Sequence, residues 1–171
     1  MIMDIVIYPD SKLRKTSLEV VEFGSYVSEK LDMMYEIMLD KNGVGIAAVQ
    51  VGILERMFIV NIPREDKIQY KEDLIEIINP RVLESSGEII FQEGCLSIPG
   101  YYEDVVRANN IKIEFFDREG RKRVLEVCGY LSVAIQHEID HLDGLLFIDR
   151  LPLLKRRKFD KEYKKILKNK K

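Results

Sequence analysis

The feature that most constrains this chain is one nine-residue stretch, residues 136–144, which reads QHEIDHLDG. Its histidines, His137 and His141, are four residues apart, so on a helix they lie on one face with their Cβ atoms about 5–6 Å apart. That spacing lets two imidazoles bind one divalent metal, with Glu138 turned about 100° round the helix to lie beside it. A carboxylate there can accept a proton from water. The chain has 2 histidines, both in this motif, which favours a metal site over ordinary surface histidines.

Length and composition indicate one globular domain with a sizeable core, since the 171 residues are 46% hydrophobic and 33% charged. The formal net charge of −2 implies no bulk attraction to nucleic acid or membrane. The charge is unevenly spread, however. Residues 155–171 hold ten Lys or Arg against two acids, a net +8, which leaves −10 on the rest of the chain. We therefore expect a single domain over residues 1–154, followed by a basic helix or tail.

The sequence predicts a cytoplasmic protein. Cys95 and Cys128 are too few for a disulfide framework, and the first residues lack the basic and apolar regions of a secretory signal. The longest uncharged stretch in the glycine-rich segment, residues 42–54, is too short to cross a bilayer.

Hydrophobic periodicity predicts an α+β fold in which antiparallel strands from residues 57–127 wrap a central helix that carries the two histidines. An N-terminal helix precedes the strands, with Ser25 as its expected N-cap, and Gly144 lies just past the end of the central helix. A turn at residues 117–120 joins the last two strands in a hairpin. The predicted helices are 26–39, 130–143 and 155–171, and the predicted strands are 57–61, 74–83, 88–91, 111–116 and 124–127.

The two faces of the central helix are expected to differ in role. Ile135, Ile139 and Leu142 lie opposite the histidines and should pack on the sheet. Val133 and Ala134 precede His137 by four and three residues, so they share its face and can form the wall of a pocket beside the metal.

Two imidazoles need a third protein ligand to hold a catalytic metal. A downstream histidine is excluded because Phe147 occupies its place in the pattern, and Glu162 lies in a run of lysines where a solvated charge is expected. Cys128 ends a strand and is predicted to be a small buried hydrophobe. Cys95, in the segment EGCLSIP, follows a glycine that lets the backbone bend inward. We favour Cys95 as the ligand, and a purely structural cysteine remains the alternative.

Three segments together resemble the signatures of the peptide deformylase family, in the usual order and spacing. They are GVGIAAVQ at 43–50, EGCLS at 93–97 and QHEIDH at 136–141. The resemblance implies a hydrolase that removes the formyl group from the N-terminal formyl-methionine of newly made proteins. It also implies one divalent metal per chain, typically Fe(II) and replaceable by Zn(II), Ni(II) or Co(II). The basic C-terminal segment would then dock on the ribosome.

The family pattern also implies roles for individual residues. The metal ligands would be Cys95, His137 and His141, and Glu138 would act first as general base and then as general acid. Gln50 and the backbone N–H of Leu96 would stabilise the oxyanion, and Gly45 would meet the substrate backbone. The methionine pocket would be lined by Val44, Phe91, Tyr130, Val133 and Ala134.

The chain departs from the family pattern at two positions. Val49 stands where proline is usual, so the loop before Gln50 is less constrained in φ. Tyr102 stands where many members carry an arginine that contacts the substrate chain, which affects substrate preference rather than the chemistry. Two other functions remain open from the residues alone: a zinc peptidase with Glu162 as its third ligand, and a non-catalytic, metal-stabilised binding domain.

Overall fold

The computed structural model describes residues 4–170. Within that range the chain forms the helices α1 (Ser25–Asp40), α2 (Gly129–Leu142) and α3 (Leu153–Asn169). The strands are β1 (Gly45–Ala47), β2 (Met57–Val60), β3 (Ile75–Ser86), β4 (Ile89–Cys95), β5 (Ile98–Arg107), β6 (Asn110–Phe116) and β7 (Lys122–Cys128).

The strands form two antiparallel sheets. Five of them pair in the order β1-β2-β3-β6-β7, and β4 and β5 form a separate two-stranded sheet. The apolar face of α2 packs on the five-stranded sheet through Ile135, Ile139 and Leu142, as their spacing predicted. The opposite face of α2 is left to carry the histidines, and the predicted α+β class is confirmed.

Helix α1 follows its predicted apolar stripe, with Val27, Leu31, Met34 and Met38 all buried. Its predicted N-cap is wrong by one residue. Ser25 is the first helical residue, and Gly24 holds the cap position at φ 150° without a side-chain hydrogen bond. Glycine reaches that backbone conformation at little cost, so the chain turns sharply into the helix there.

Three predictions about strands need correction. Strand β3 ends at Ser86, three residues past its predicted end at 83, and it pairs with β6; a register shift between Ile78 and Arg81 accommodates Pro80 within it. Strand β5 was missed because charged Glu103 and Arg107 lie on its inward face and hide the alternation. Cys128 is exposed rather than buried, since it is the last residue of the edge strand β7.

The basic segment folds as helix α3, which is amphipathic. Phe159 and Tyr163 are buried and pack with Tyr8 and Tyr101 in one aromatic cluster. The apolar face of α3 therefore belongs to a core that also includes the N-terminal arm. Among residues 4–170, no helix is both long and apolar enough to cross a membrane.

Candidate metal centre and active site

Two elements bring together three side chains that could hold a metal ion. Helix α2 stacks His137 and His141 on one face, and Cys95 ends strand β4 beside them. One ligand atom from each of the three lies within 4.8 Å of the other two, and Cys95 Sγ is 3.3 Å from His141 Nε2. One thiolate and two imidazoles suit a borderline-soft divalent metal such as Fe(II) or Zn(II). The donor set therefore fits the predicted metal site.

The other two candidates for third ligand lie elsewhere. Cys128 is exposed at the end of β7. Glu162 is on α3, where Lys158 approaches it at 4.0 Å. Within the described part of the chain, neither belongs to a group of side chains that could hold a metal with the histidines.

A buried charge network orients His137. Glu93 Oε1 lies 2.8 Å from His137 Nδ1, which leaves Nε2 of that ring for the metal. Arg107 donates to both oxygens of Glu93, at 2.8 and 2.9 Å, and to Asp140 Oδ2 at 2.6 Å. Burial alone would raise the pKa of Glu93, but hydrogen bonds from Arg107 and His137 lower it to about 2. Glu93 is therefore a carboxylate that holds a proton on Nδ1 of His137.

Glu138 is buried beside the ligands and faces the same cleft. Burial, the largest cause, raises the pKa of Glu138 to about 7. Its Oε2 is buried and has no hydrogen-bond partner within residues 4–170, so the described protein groups leave this carboxylate oxygen unpaired. A Cβ built on Gly45 would lie 2.9 Å from Glu138 Oε1. Glycine at position 45 therefore keeps space for this carboxylate.

The Gln50 amide is fixed at both ends. Its Oε1 accepts a hydrogen bond from the Ala47 N–H at 2.9 Å, so its NH₂ group faces the metal ligands. That group donates to Ser97 Oγ at 3.1 Å and lies 3.6 Å from Cys95 Sγ. Leu96, next to the cysteine, also lines the cleft. Gln50 and the Leu96 backbone thus flank the same ligand.

The cleft has a volume of about 780 Å³, within the usual range for a small-molecule site. Its aromatic wall is formed by Phe91 and Tyr130, whose rings stack with centroids 4.5 Å apart. The predicted site residues that line it are Val44, Gly45, Gln50, Phe91, Cys95, Leu96, Tyr130, Val133, Ala134, His137 and Glu138. The structure therefore brings the residues of the predicted pocket together in one cleft. His141 lies just behind this cleft, with its Nε2 3.3 Å from Cys95 Sγ.

The two departures from the family pattern have local explanations. Val49 is fully buried in the 3₁₀-helix Ala48–Val51, so hydrogen bonds and packing constrain the backbone that proline would otherwise restrict. Tyr102 is 64% exposed at the cleft mouth, and its ring would lie 2.4 Å from a Cβ on Gly94. The tyrosine ring therefore packs closely against Gly94, where a residue with a Cβ would not fit.

Sequence reasoning missed the residues that support the site. Glu93 was part of a quoted motif, but nothing in its spacing indicated a bond to His137. Arg107 and Asp140 lie 14 and 47 residues further along the chain, so only the folded β4–β5 sheet and α2 bring them together. Inward-facing charges on a strand would have been the available signal.

Comparison with known proteins agrees with this geometry. The family model described as polypeptide deformylase matches residues 2–157. A peptide deformylase of Helicobacter acinonychis is 51% identical over 168 residues, covering 98% of this chain and 96% of its own.

Solved structures of peptide deformylases are similar to this chain in fold over nearly its full length. A peptide deformylase from Legionella pneumophila superposes with a TM-score of 0.87 at 36% identity, covering 100% of this chain and 99% of its own. The Ehrlichia chaffeensis peptide deformylase in complex with actinonin has a TM-score of 0.86 at 35% identity, covering 96% of each chain. Full-length likeness in sequence and fold, joined to the Cys95, His137 and His141 group, shows that this chain belongs to the polypeptide deformylase family.

Proposed function

We propose that Cys95, His137 and His141 hold the catalytic metal and that Glu138 is the general base and acid of the reaction. The protein is a metal-dependent hydrolase that removes the N-formyl group from the N-terminal methionine of nascent polypeptides. The observation that carries the proposed roles is the buried Glu138 carboxylate, which faces the same cleft as the three ligands. Burial raises the pKa of this carboxyl above its ordinary value, which favours proton transfer in both directions near neutral pH.

When bound, a divalent metal supplies Lewis acidity, which polarises the formyl carbonyl and makes water in the cleft more acidic. Glu138 accepts a proton from the attacking water, whose oxygen adds to the formyl carbon. The same carboxyl then donates that proton to the methionine nitrogen as the C–N bond breaks. Formic acid and a free amino terminus are the products; formic acid then gives its proton to the amine or to solvent and becomes formate, and Glu138 ends unprotonated, as it began.

Gln50 and the Leu96 N–H stabilise the negative charge that develops on the formyl oxygen. The Gln50 amide is held in place by Ala47 and Ser97 before any substrate arrives. A preorganised donor of this kind contributes about 3–4 kcal/mol to lowering the barrier.

The methionine side chain occupies the apolar part of the cleft, formed by Val44, Phe91, Tyr130, Val133 and Ala134. Val133 and Ala134 are at most 6% exposed and offer no partner for a charge. A formyl-aspartyl peptide should therefore be a poor substrate, since its carboxylate would lose hydration without compensation.

The roles are tested by comparing two substitutions in one metal-binding and kinetic experiment. The Glu138→Ala protein should bind about one metal per chain but lose at least roughly 10²-fold in rate on a formyl-Met-Ala peptide. The Cys95→Ser protein should lose both metal and rate, because a neutral hydroxyl is a far poorer ligand than a thiolate. Near-normal deformylation by Glu138→Ala would disprove the acid–base role.

Glu162→Ala is the matched control for the peptidase alternative. Its carboxylate lies 4.0 Å from Lys158 on α3, so we expect unchanged metal content and rate. Metal lost from Glu162→Ala but kept by Cys95→Ser would reverse the ligand assignment.

We further propose Fe(II) as the native metal, with Zn(II), Ni(II) or Co(II) as substitutes, because imidazole and thiolate donors accept all four.

The reducing cytoplasm is the proposed compartment, since it keeps the Cys95 thiol reduced. The ribosome is the proposed partner, through the basic face of α3, and residues 1–154 with α3 form one catalytic unit.

A further inference from the structure

The loop between β2 and β3, residues 62–73, is attached to the edge of the cleft by one side chain. Gln69 Nε2 donates to the Gly43 carbonyl at 2.9 Å and to the Asn61 carbonyl at 2.7 Å. Gly43 and Val44 both line the cleft. A single amide from an otherwise solvent-facing loop therefore bridges two backbone strands at the substrate site.

These contacts replace a hydrogen bond that a regular ladder would contain. Gly45 pairs with Val60, so Val44 lies opposite Asn61, and the Asn61 N–H donates to the Val44 carbonyl at 2.8 Å. In a regular antiparallel pair the two residues exchange two hydrogen bonds, so the Val44 N–H would also donate to the Asn61 carbonyl. Gln69 occupies that carbonyl instead. Within residues 4–170 the Val44 N–H makes no hydrogen bond.

The direction of the Val44 N–H follows from peptide geometry. The peptide between Gly43 and Val44 is planar and trans, so its C=O and N–H point in opposite directions. Its carbonyl faces Gln69, on the side of β2. Its N–H therefore points away from β2, and β1 is the edge strand of its sheet. An extended peptide lying along that edge would meet this donor.

The loop is held together by side-chain contacts on both sides of Gln69. Arg64 bonds to Asp73 at 2.6 and 3.0 Å, pairs with Glu72, and stacks on the Tyr70 ring at 4.2 Å. Tyr70 in turn donates to Asp66 at 2.6 Å. The Asn61 side chain donates to the Tyr70 carbonyl at 3.1 Å. These contacts flank Gln69 on both sides along the chain.

We propose that Gln69 is a positioning residue for deformylation: it turns the Gly43–Val44 peptide so that the Val44 N–H donates to a backbone carbonyl of the formylated peptide. This role rests on the proposed function. Without the two Gln69 hydrogen bonds, the Gly43–Val44 peptide plane can rotate. The Val44 N–H can then donate to the Asn61 carbonyl. The enzyme then loses one hydrogen bond to the substrate chain, at a distance from the formyl carbon.

The kinetic test compares three substitutions on a formyl-Met-Ala-Ser peptide. Gln69→Met keeps the length of the side chain but removes both donors, and we expect KM to rise roughly 3–10-fold, the value of one hydrogen bond, with kcat within about twofold. Gln69→Lys restores a donor that can reach two carbonyls and should recover most of the loss. Glu65→Gln is the control, an exposed position on the same loop, and should match the unaltered protein. A change confined to kcat, or no change in KM, overturns the role.

Amide hydrogen exchange tests the same idea without relying on turnover. In the unaltered protein the Val44 amide should exchange at least about tenfold faster than Ile46, which lies in the β1–β2 ladder. Added Met-Ala-Ser, the reaction product, should slow that exchange. In Gln69→Met the Val44 amide should be protected without any peptide. Protection of Val44 in the peptide-free, unaltered protein would overturn the proposal even if Gln69→Met failed to fold. Absence of deformylation in the unaltered protein would instead count against the proposed function.

Discussion

At the scale of single residues, the site separates two carboxylates by environment. Glu93 bonds to Arg107 and His137, which lower its pKa to about 2, so it stays ionised. Glu138 is buried beside the ligands with one unpaired oxygen, and its pKa rises to about 7. The two environments separate the two pKa values, which is the division that the proposed acid–base role of Glu138 requires.

The first prediction concerns pH. The base form of Glu138 is the deprotonated one, so activity should fall as pH falls through its pKa. A bound divalent cation lowers that pKa from about 7 towards the ordinary 4.5. We expect kcat/KM of the nickel-loaded enzyme to show an acid limb between those values. The residual activity of Glu138→Gln should lack this limb, and its persistence there would assign the limb to another group.

The second prediction concerns Glu93. Glu93→Gln keeps the shape of the side chain but removes the charge that holds His137. Loss of such a partner typically weakens metal affinity about 10–100-fold, which competition with a chelator measures. Glu103→Gln is the control, because Glu103 bonds to Lys155 on α3 at 3.1 Å, on the same small sheet. Equal affinities for the two variants would show that Glu93 supports the fold rather than the metal.

Residue-scale prediction from the sequence worked where one motif fixes the geometry. The i and i+4 spacing in α2 placed both histidines, Val133 and Ala134 on the cleft side. It did not reveal Glu93, Gln69 or Ser97, because their roles depend on which strands lie next to each other. Cys128 was misassigned for the same reason, since burial at a strand end depends on whether that strand is at the sheet edge.

At the scale of secondary-structure elements, α3 is attached to the N-terminal segment by Asp149. Arg14 pairs with this carboxylate, Arg156 donates to it at 2.8 Å, and the Leu146 N–H donates to it at 2.8 Å. Burial alone would raise the pKa of Asp149, but these partners lower it below 3.8. A lowered pKa means that the ionised form stabilises the fold above the unfolded pKa and that this contribution is lost as pH falls through the folded pKa.

The third prediction tests that linkage. Asp149→Asn should lower the stability of the fold by about 1 kcal/mol near pH 7, a Tm change of roughly 2–4 °C, because the side chain is 21% exposed and partly screened. The difference in Tm should begin to shrink below about pH 4, where the unfolded chain takes up a proton at Asp149, and should vanish once the pH falls below the lowered pKa of the folded state. Asp143→Asn serves as the control, since Asp143 is 47% exposed and bonds to Arg56. An Asp149→Asn deficit that does not depend on pH would mean that packing, not charge, attaches α3.

Element prediction succeeded for segments with a clean period. Helices α1 and α2 and the β6–β7 hairpin lie within a few residues of their predicted bounds, because each has an apolar stripe or alternation and a glycine at its end. Strand β5 has neither, since it directs charges inward to the network around Arg107. Strand β1 is three residues long and gains its extended form from pairing with β2, which no local pattern encodes.

At the scale of the whole molecule, charge is separated. The final 17 residues carry +8 and the rest of the chain −10. On helix α3, Phe159 and Tyr163 are buried in the aromatic cluster. Three lysines of the same helix are exposed: Lys164, Lys165 and Lys168. The cationic surface is thus presented on an ordered helix, and removal of the segment would also open the core. Substitution of its exposed charges is therefore the better test of ribosome docking.

The final prediction is that the exposed lysines of α3 carry this docking. Replacing Lys164, Lys165 and Lys168 with Gln should weaken co-sedimentation with ribosomes at low salt and reduce the slope of log affinity against log salt by about 2–3. Activity on a free formyl-Met-Ala peptide should stay unchanged, because none of these side chains lines the cleft. The control replaces Lys12, Lys15 and Lys67, also exposed, with Gln. This matches the charge change but leaves the α3 surface intact, so it should bind ribosomes like the unaltered protein. Equal weakening by both triple variants would mean that net charge, and not the helix, governs the association.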